Sequence, residues 1–155
     1  MHFEKAVLSD IPALTDLRIA YLQEDLGAIA EDTLHSIGAA LPVYFEKHLN
    51  NDLMAFVARE GGTIISCAFL LIVEKPMSPA FITGKTATVM NVYTMPEHRH
   101  KGYARKLMTL LLKDAKALDV SIVELKATED GYPLYRSLGF EEAVAKYHSM
   151  RLVLG

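Results

Sequence analysis

The spacing of apolar and polar positions changes period along the chain, and each change marks an element. Phe3 to Val7 predicts a short first strand. From Ile11 the apolar residues Leu14, Leu17, Ile19, Ala20 and Leu22 recur at helical spacing. Ser9-Asp10 offers that helix a capping side chain, Pro12 suits its first turn and Gly27 ends it. A second helical region covers roughly 32–49, with breaks expected near Gly38 and Pro42. Leu53 to Arg59 and Thr63 to Val73 read as a strand hairpin around Glu60-Gly61-Gly62. The stretch from Lys75 to Lys85, with two prolines and a glycine, predicts a loop longer than most hairpins need.

The centre of the chain combines two periods. Val89 to Met95 is a strand, Pro96 stops its pairing, and PEHRHKG turns the chain. From Gly102 a helix follows, with Ala104, Leu107, Met108, Leu111, Ala115 and Leu118 on one face. Val120 to Ala127 predicts a further strand, and Tyr132 to Leu138 a short helix closed by Gly139. Phe140 to Val144 and Tyr147 to Leu154 predict a final antiparallel pair.

Composition narrows the class. With 155 residues, 51% of them hydrophobic and 23% charged, one ordinary globular domain over 1–155 is expected. A formal net charge of −3 gives no general affinity for nucleic acid, so the basic residues near position 100 are a local feature. The longest apolar run, IISCAFLLIV, is too short to span a membrane. The start, MHFEKAVLSD, has no secretory pattern, and the single cysteine, Cys67, fits a reducing compartment. A cytoplasmic location is therefore expected.

A helix start carries unpaired N–H groups and a partial positive charge, and so can hold an anion. Here Arg99, Lys101, Arg105 and Lys106 surround it, and Gly102 lets a ligand approach the backbone closely. A pyrophosphate is the natural guest. The chain has neither GxxxxGK[ST] nor GxGxxG, which excludes two common phosphate motifs. His98 and His100 are too few and too close together for a metal site, and no metal is expected.

Arg99-His100-Lys101-Gly102-Tyr103-Ala104, with Pro96 ahead of it, resembles the [RQ]-x-x-G-x-[GA] cofactor motif of the GCN5-related N-acetyltransferases. Leu134-Tyr135-Arg136-Ser137-Leu138-Gly139-Phe140 resembles that family's LYxxLGF segment. The resemblance is specific from about 88 to 140 and topological before that. It implies an α/β (α+β) acyl-CoA N-acyltransferase fold: a mixed, mostly antiparallel twisted sheet flanked by helices and splayed between strands four and five.

The same resemblance implies acetyl-CoA as cofactor and a primary amine of a small molecule or peptide as acceptor, attacked directly without a covalent enzyme intermediate. Tyr135 is then the general acid for the departing thiolate. Main-chain N–H groups of Tyr93 and Thr94 serve the thioester carbonyl at a strand bulge. Arg99, His100, Lys101, Gly102, Tyr103, Ala104 and Arg105 form the pyrophosphate site. Thr128 stands where many members have an asparagine. Glu24, in an acidic cluster with Asp25, Glu31 and Asp32, is the candidate base or amine-binding group, and Glu74 a weaker one. Homodimers are common in the family. The alternative function is a non-catalytic acyl-CoA-binding module or sensor, which would need no Tyr135.

Overall fold

In the computed structural model, which describes residues 1–155, the elements run β1 (His2–Lys5), α1 (Ile11–Leu26), α2 (Glu31–His48), β2 (Leu53–Glu60) and β3 (Thr63–Glu74). They continue with β4 (Lys85–Thr94), α3 (Tyr103–Ala117), β5 (Ile122–Glu124) and α4 (Tyr132–Ser137). The five strands form one sheet in chain order, antiparallel from β1 to β4, with β5 parallel to β4. This mixed sheet flanked by helices is the expected fold class.

β2 and β3 are apolar on both faces because both faces are covered. On one face Leu14 and Leu17 of α1 and Phe45 of α2 pack on Ala55, Val57, Cys67, Phe69 and Tyr93. On the other, Leu107, Met108, Leu111 and Ala115 of α3 pack on Phe56, Ala58, Ala68, Leu70 and Val89. The helical spacing read along α3 is therefore its buried face. Tyr135 and Leu138 close the edge of this second cluster.

Five expectations need correction. α2 is continuous through Gly38 and Pro42. A proline removes one hydrogen bond, and Gly38, next to Ile19 of α1, lets the two helices pack closely enough to hold the turn together. Asp10 does not cap α1 with its side chain. Its Oδ2 accepts from the Val7 N–H at 2.8 Å and from Arg59 Nη2 at 2.5 Å. β4 begins at Lys85, four residues earlier than expected, and β5 spans only Ile122–Glu124.

The last correction concerns the C-terminal residues. Residues 141–155 form no strands and are exposed throughout, with Val144 at 96% and Met150 and Leu154 at 91% exposure. A three-residue β5 presents too short an edge to template the hairpin that their apolar pattern suggests.

Candidate active site

β4 carries an irregularity that organises the site. Phe69 pairs with Met90 and Cys67 with Tyr93, so Ala68 of β3 faces both Asn91 and Val92 of β4, which is a β-bulge. Asn91 adopts φ 54°, a left-handed conformation that asparagine tolerates better than most residues. Its side chain is buried (1% exposed) and donates through Nδ2 to Cys67 Sγ at 3.4 Å. Burial pushes the Cys67 thiol up to about 12, so it stays a neutral packing group.

On its other edge β4 pairs with β5 only from Thr86 to Thr88, leaving Val89 to Thr94 without a strand neighbour there. This is the splay expected between strands four and five. The Met95 N–H donates to Ile65 O at 2.9 Å. By strand alternation, the Tyr93 N–H then points to β3 and the Thr94 N–H to the open edge. The pair expected to serve the thioester carbonyl thus divides. Thr94 keeps a free main-chain donor, while Tyr93 contributes its ring.

At the end of β4 the chain reverses through Pro96–His98. His100 (φ 63°) and Gly102 (φ 82°) are both left-handed. The first hydrogen bond of α3 runs from the Lys106 N–H to Gly102 O at 3.2 Å, and no side chain caps the helix. The N–H groups of Tyr103, Ala104 and Arg105 therefore have no partner within the protein. A Cβ on Gly102 would meet nothing within 4 Å, so the space over these amides is open. These donors, with the exposed His100 and Lys101 beside them, suit a diphosphate.

The other cations near this turn face elsewhere. Arg105 Nη2 donates to Ser137 Oγ of α4 at 2.6 Å, and the Lys106 ammonium lies 4.7 Å from the centre of the Phe3 ring. Arg99 Nε donates to Thr94 O at 2.8 Å, and its Nη2 donates to both carboxylate oxygens of Glu24 at 2.8 and 2.9 Å. Its guanidinium also lies 5.3 Å from the centre of the Tyr93 ring. Arg99 thus ties the turn and the end of β4 to α1.

Tyr135 lies across the gap from this face. Its ring packs edge-on to Phe140 and presses on Gly131, where a Cβ would come within 2.8 Å of the ring. Thr128 Oγ1 accepts from the Gly131 N–H at 3.2 Å and fixes that approach. Burial pushes the Tyr135 hydroxyl up to about 12, and Tyr21 of α1 adds to the shift. Neither of these two hydroxyls has a hydrogen-bond partner in the chain.

The acidic cluster does not act as one group. Glu24 is held by Arg99, Asp25 stands near Tyr21, and Glu31 and Asp32 occupy the first turn of α2, where the helix dipole favours them. Glu74 ends β3 opposite Lys85. Two residues of this face escape a reading by motif: Asn91 and Arg18, whose Nη1 lies 3.3 Å from Asn91 Oδ1. Asparagine is scarce in strands, and that was the available signal for the bulge.

The family profile described as "Acetyltransferase (GNAT) family" matches residues 15–140. Among solved structures, the chain is similar to a predicted acetyltransferase from Clostridium acetobutylicum, solved with acetyl-CoA. The TM-score is 0.85 and the identity 27%, over 97% of this chain and 95% of that one. It is also similar to a GCN5-related N-acetyltransferase from Ralstonia eutropha JMP134, at TM-score 0.76 and 21% identity, over 96% and 97% of the two chains. A ribosomal-protein-alanine N-acetyltransferase from Brucella melitensis biovar Abortus 2308 aligns at TM-score 0.70 and 20% identity, over 99% and 100%. No curated protein matches the sequence.

Proposed function

The chain belongs to the acetyltransferase (GNAT) family, and on that premise we propose that it transfers acetyl from acetyl-CoA to a primary amine of a small molecule or peptide by direct attack. One observation carries the reading: the open edge of β4 leads directly to the three unpartnered amides at the start of α3. An extended amide-bearing arm can pair along the first, and a diphosphate can rest on the second.

When bound, the cofactor supplies an activated acyl carbon and a thiolate leaving group. Tyr103, Ala104 and Arg105 offer their N–H groups to the diphosphate, with His100 and Lys101 adding positive character. The Thr94 N–H is aimed where negative charge grows on the acyl oxygen, a preorganised donor that needs no rearrangement. The amine nitrogen would add to the acyl carbon as the carbonyl π pair moves onto oxygen, and the carbon–sulfur bond would break as that pair returns. One proton leaves the nitrogen for solvent.

Tyr135 meets the charge that appears on sulfur. Held near 12, it stays protonated across the neutral range and is always a donor. Burial that raises the phenol raises a neighbouring thiolate's proton affinity as well, so Tyr135 can donate to the developing thiolate and be replenished from solvent. Glu24 contributes by holding Arg99, and the single buried thiol supports a reducing, cytoplasmic setting.

The test is thiol release from acetyl-CoA over a panel of primary amines. Turnover with at least one amine is the expected result. Tight CoA binding without turnover on any amine would replace this reading with that of a binding module.

A further inference from the structure

Three arginines of this chain are partly buried, and their partners differ. Arg59 is held by Glu4 at 2.6 Å and Asp10 at 2.5 Å, and Arg99 by Glu24 at 2.8 Å. Arg18 has no carboxylate within 4 Å. Its single hydrogen bond runs from Nη1 to a neutral acceptor, Asn91 Oδ1, at 3.3 Å. A guanidinium carries five N–H donors in a planar fork that matches a carboxylate, and a half-desolvated cation without a counter-charge is costly. Four of these donors have no protein partner.

The surroundings of Arg18 place it on the acceptor side of the open edge. It projects from α1 onto the β4 bulge at Asn91, two residues before Tyr93 and three before Thr94. One turn later on the same helix comes Tyr21, whose ring centre lies 5.8 Å from the guanidinium carbon. Tyr44 of α2 stands near enough to feel the charge of Arg18. His48 stacks on Tyr44 at 4.5 Å, and its Nδ1 is bound to Asp52 at 2.7 Å, so Asp52 is already engaged. The Tyr21 ring thus flanks a fork of free donors, and Asn91 fixes its direction through its own contact with Cys67. Asn91, which Arg18 touches, is three residues before Thr94, at most about 10 Å along β4. A carboxylate on Arg18 and an amine beside the Thr94 N–H can therefore belong to one small molecule.

We propose that Arg18 is a specificity-determining residue that binds the carboxylate of the acceptor, making the substrate an amine that also carries a carboxylate, such as an amino acid. This rests on the acetyltransferase reading above. Arg18 donates to the carboxylate, Asn91 orients the guanidinium, and Tyr21 walls the site. Acyl transfer then proceeds at the amine as already described.

The experiment pairs each of several amino acids with its own carboxamide, which keeps the amine and removes the negative charge. Thiol release from acetyl-CoA is followed for the wild type, Arg18→Gln and Arg18→Lys. The expected result is a preference for the carboxylate member of at least tenfold in kcat/KM. Arg18→Gln erases that preference chiefly through KM, and Arg18→Lys retains part of it. A fold defect lowers rates on both members alike and leaves their ratio unchanged, so the ratio reads the proposal independently of stability. Equal rates on acid and amide by the wild type overturn it, as does a preference that survives Arg18→Gln. Turnover only with amines lacking a carboxylate overturns it while upholding acetyl transfer. No turnover with any amine overturns both.

Discussion

Arg99 Nη2 lies 2.8 and 2.9 Å from the two carboxylate oxygens of Glu24, so the turn after β4 is fastened to the last turn of α1. With both oxygens occupied, Glu24 is a poor place for a substrate proton. Glu24→Gln is expected to lower kcat less than tenfold. Because the pair is half exposed and screened by water, stability should fall by only about 0.5 kcal/mol. A loss of a hundredfold or more with a flattened pH profile would restore Glu24 as the base.

Gly102 stands at φ 82° with open space above its α-carbon. Gly102→Val puts a branched side chain where a diphosphate would rest, at a backbone angle that costs valine about 1–2 kcal/mol. The dissociation constant for CoA is expected to rise at least tenfold, measured by calorimetry on protein shown folded by circular dichroism. Unchanged affinity would remove the diphosphate from this turn.

Tyr135→Phe keeps the ring against Gly131 and Phe140 and removes only the donor. The expected loss is roughly 10²-fold in kcat with little change in CoA affinity, because the interaction strengthens as charge reaches sulfur. Near-normal turnover with a lowered melting temperature would mark Tyr135 as a packing residue alone.

The pH profile separates the amine from the phenol. The rate should climb between about pH 6 and 8.5 as the amine loses its proton. Burial raises the Tyr135 value above its ordinary 10.0, up to about 12, so the hydroxyl keeps its proton beyond the point where an exposed tyrosine loses it. No descending limb is expected below about pH 10.5. A fall centred near 10 would mean that Tyr135 is not sheltered in the working enzyme.

Asp10 provides an acid-stability test away from the site. The hydrogen bond from Arg59 holds its carboxyl below the ordinary 3.8, aided by the Val7 N–H and opposed by burial. A lowered folded value means the stabilisation is fully present above pH 3.8 and disappears as pH falls through the folded value. Asp10→Asn leaves the Arg59 guanidinium with Glu4 as its one carboxylate partner and should cost about 2 kcal/mol at pH 7. The melting temperature would fall by about 4–8 °C, with the gap between variant and wild type closing in acid. A constant gap down to pH 2 would deny the ion pair its role.

The sequence was most legible where conformation is local. The turn at Arg99 to Ala104 depends on a proline, a glycine with positive φ and the periodicity of α3, and all three are visible in a short window. The bulge at Asn91 depends on how β4 pairs with β3, a relationship between residues about 24 apart that no window contains. Arg18 was passed over because α1 was read for its apolar face, while the charge sits at the edge of that face. The hairpin expected after Phe140 failed for a related reason. Alternating apolar residues state what a strand would look like but not whether an edge exists to receive it.

The open edge of β4 is specified by register, a short neighbour and a bulge, and of these only the bulge leans on a side chain along Val89 to Thr94, that of Asn91. What the strand offers there is its own amide groups, which every substitution except proline leaves in place. Sequences can therefore drift far apart along this strand while the donor-binding gap persists. The helices opposite, where Arg18, Tyr21 and Tyr44 sit, are then free to change with each acceptor. On the proposed reading, divergence in this architecture would be partitioned: the donor half of the reaction rests largely on backbone and Tyr135, and the acceptor half on side chains of α1 and α2.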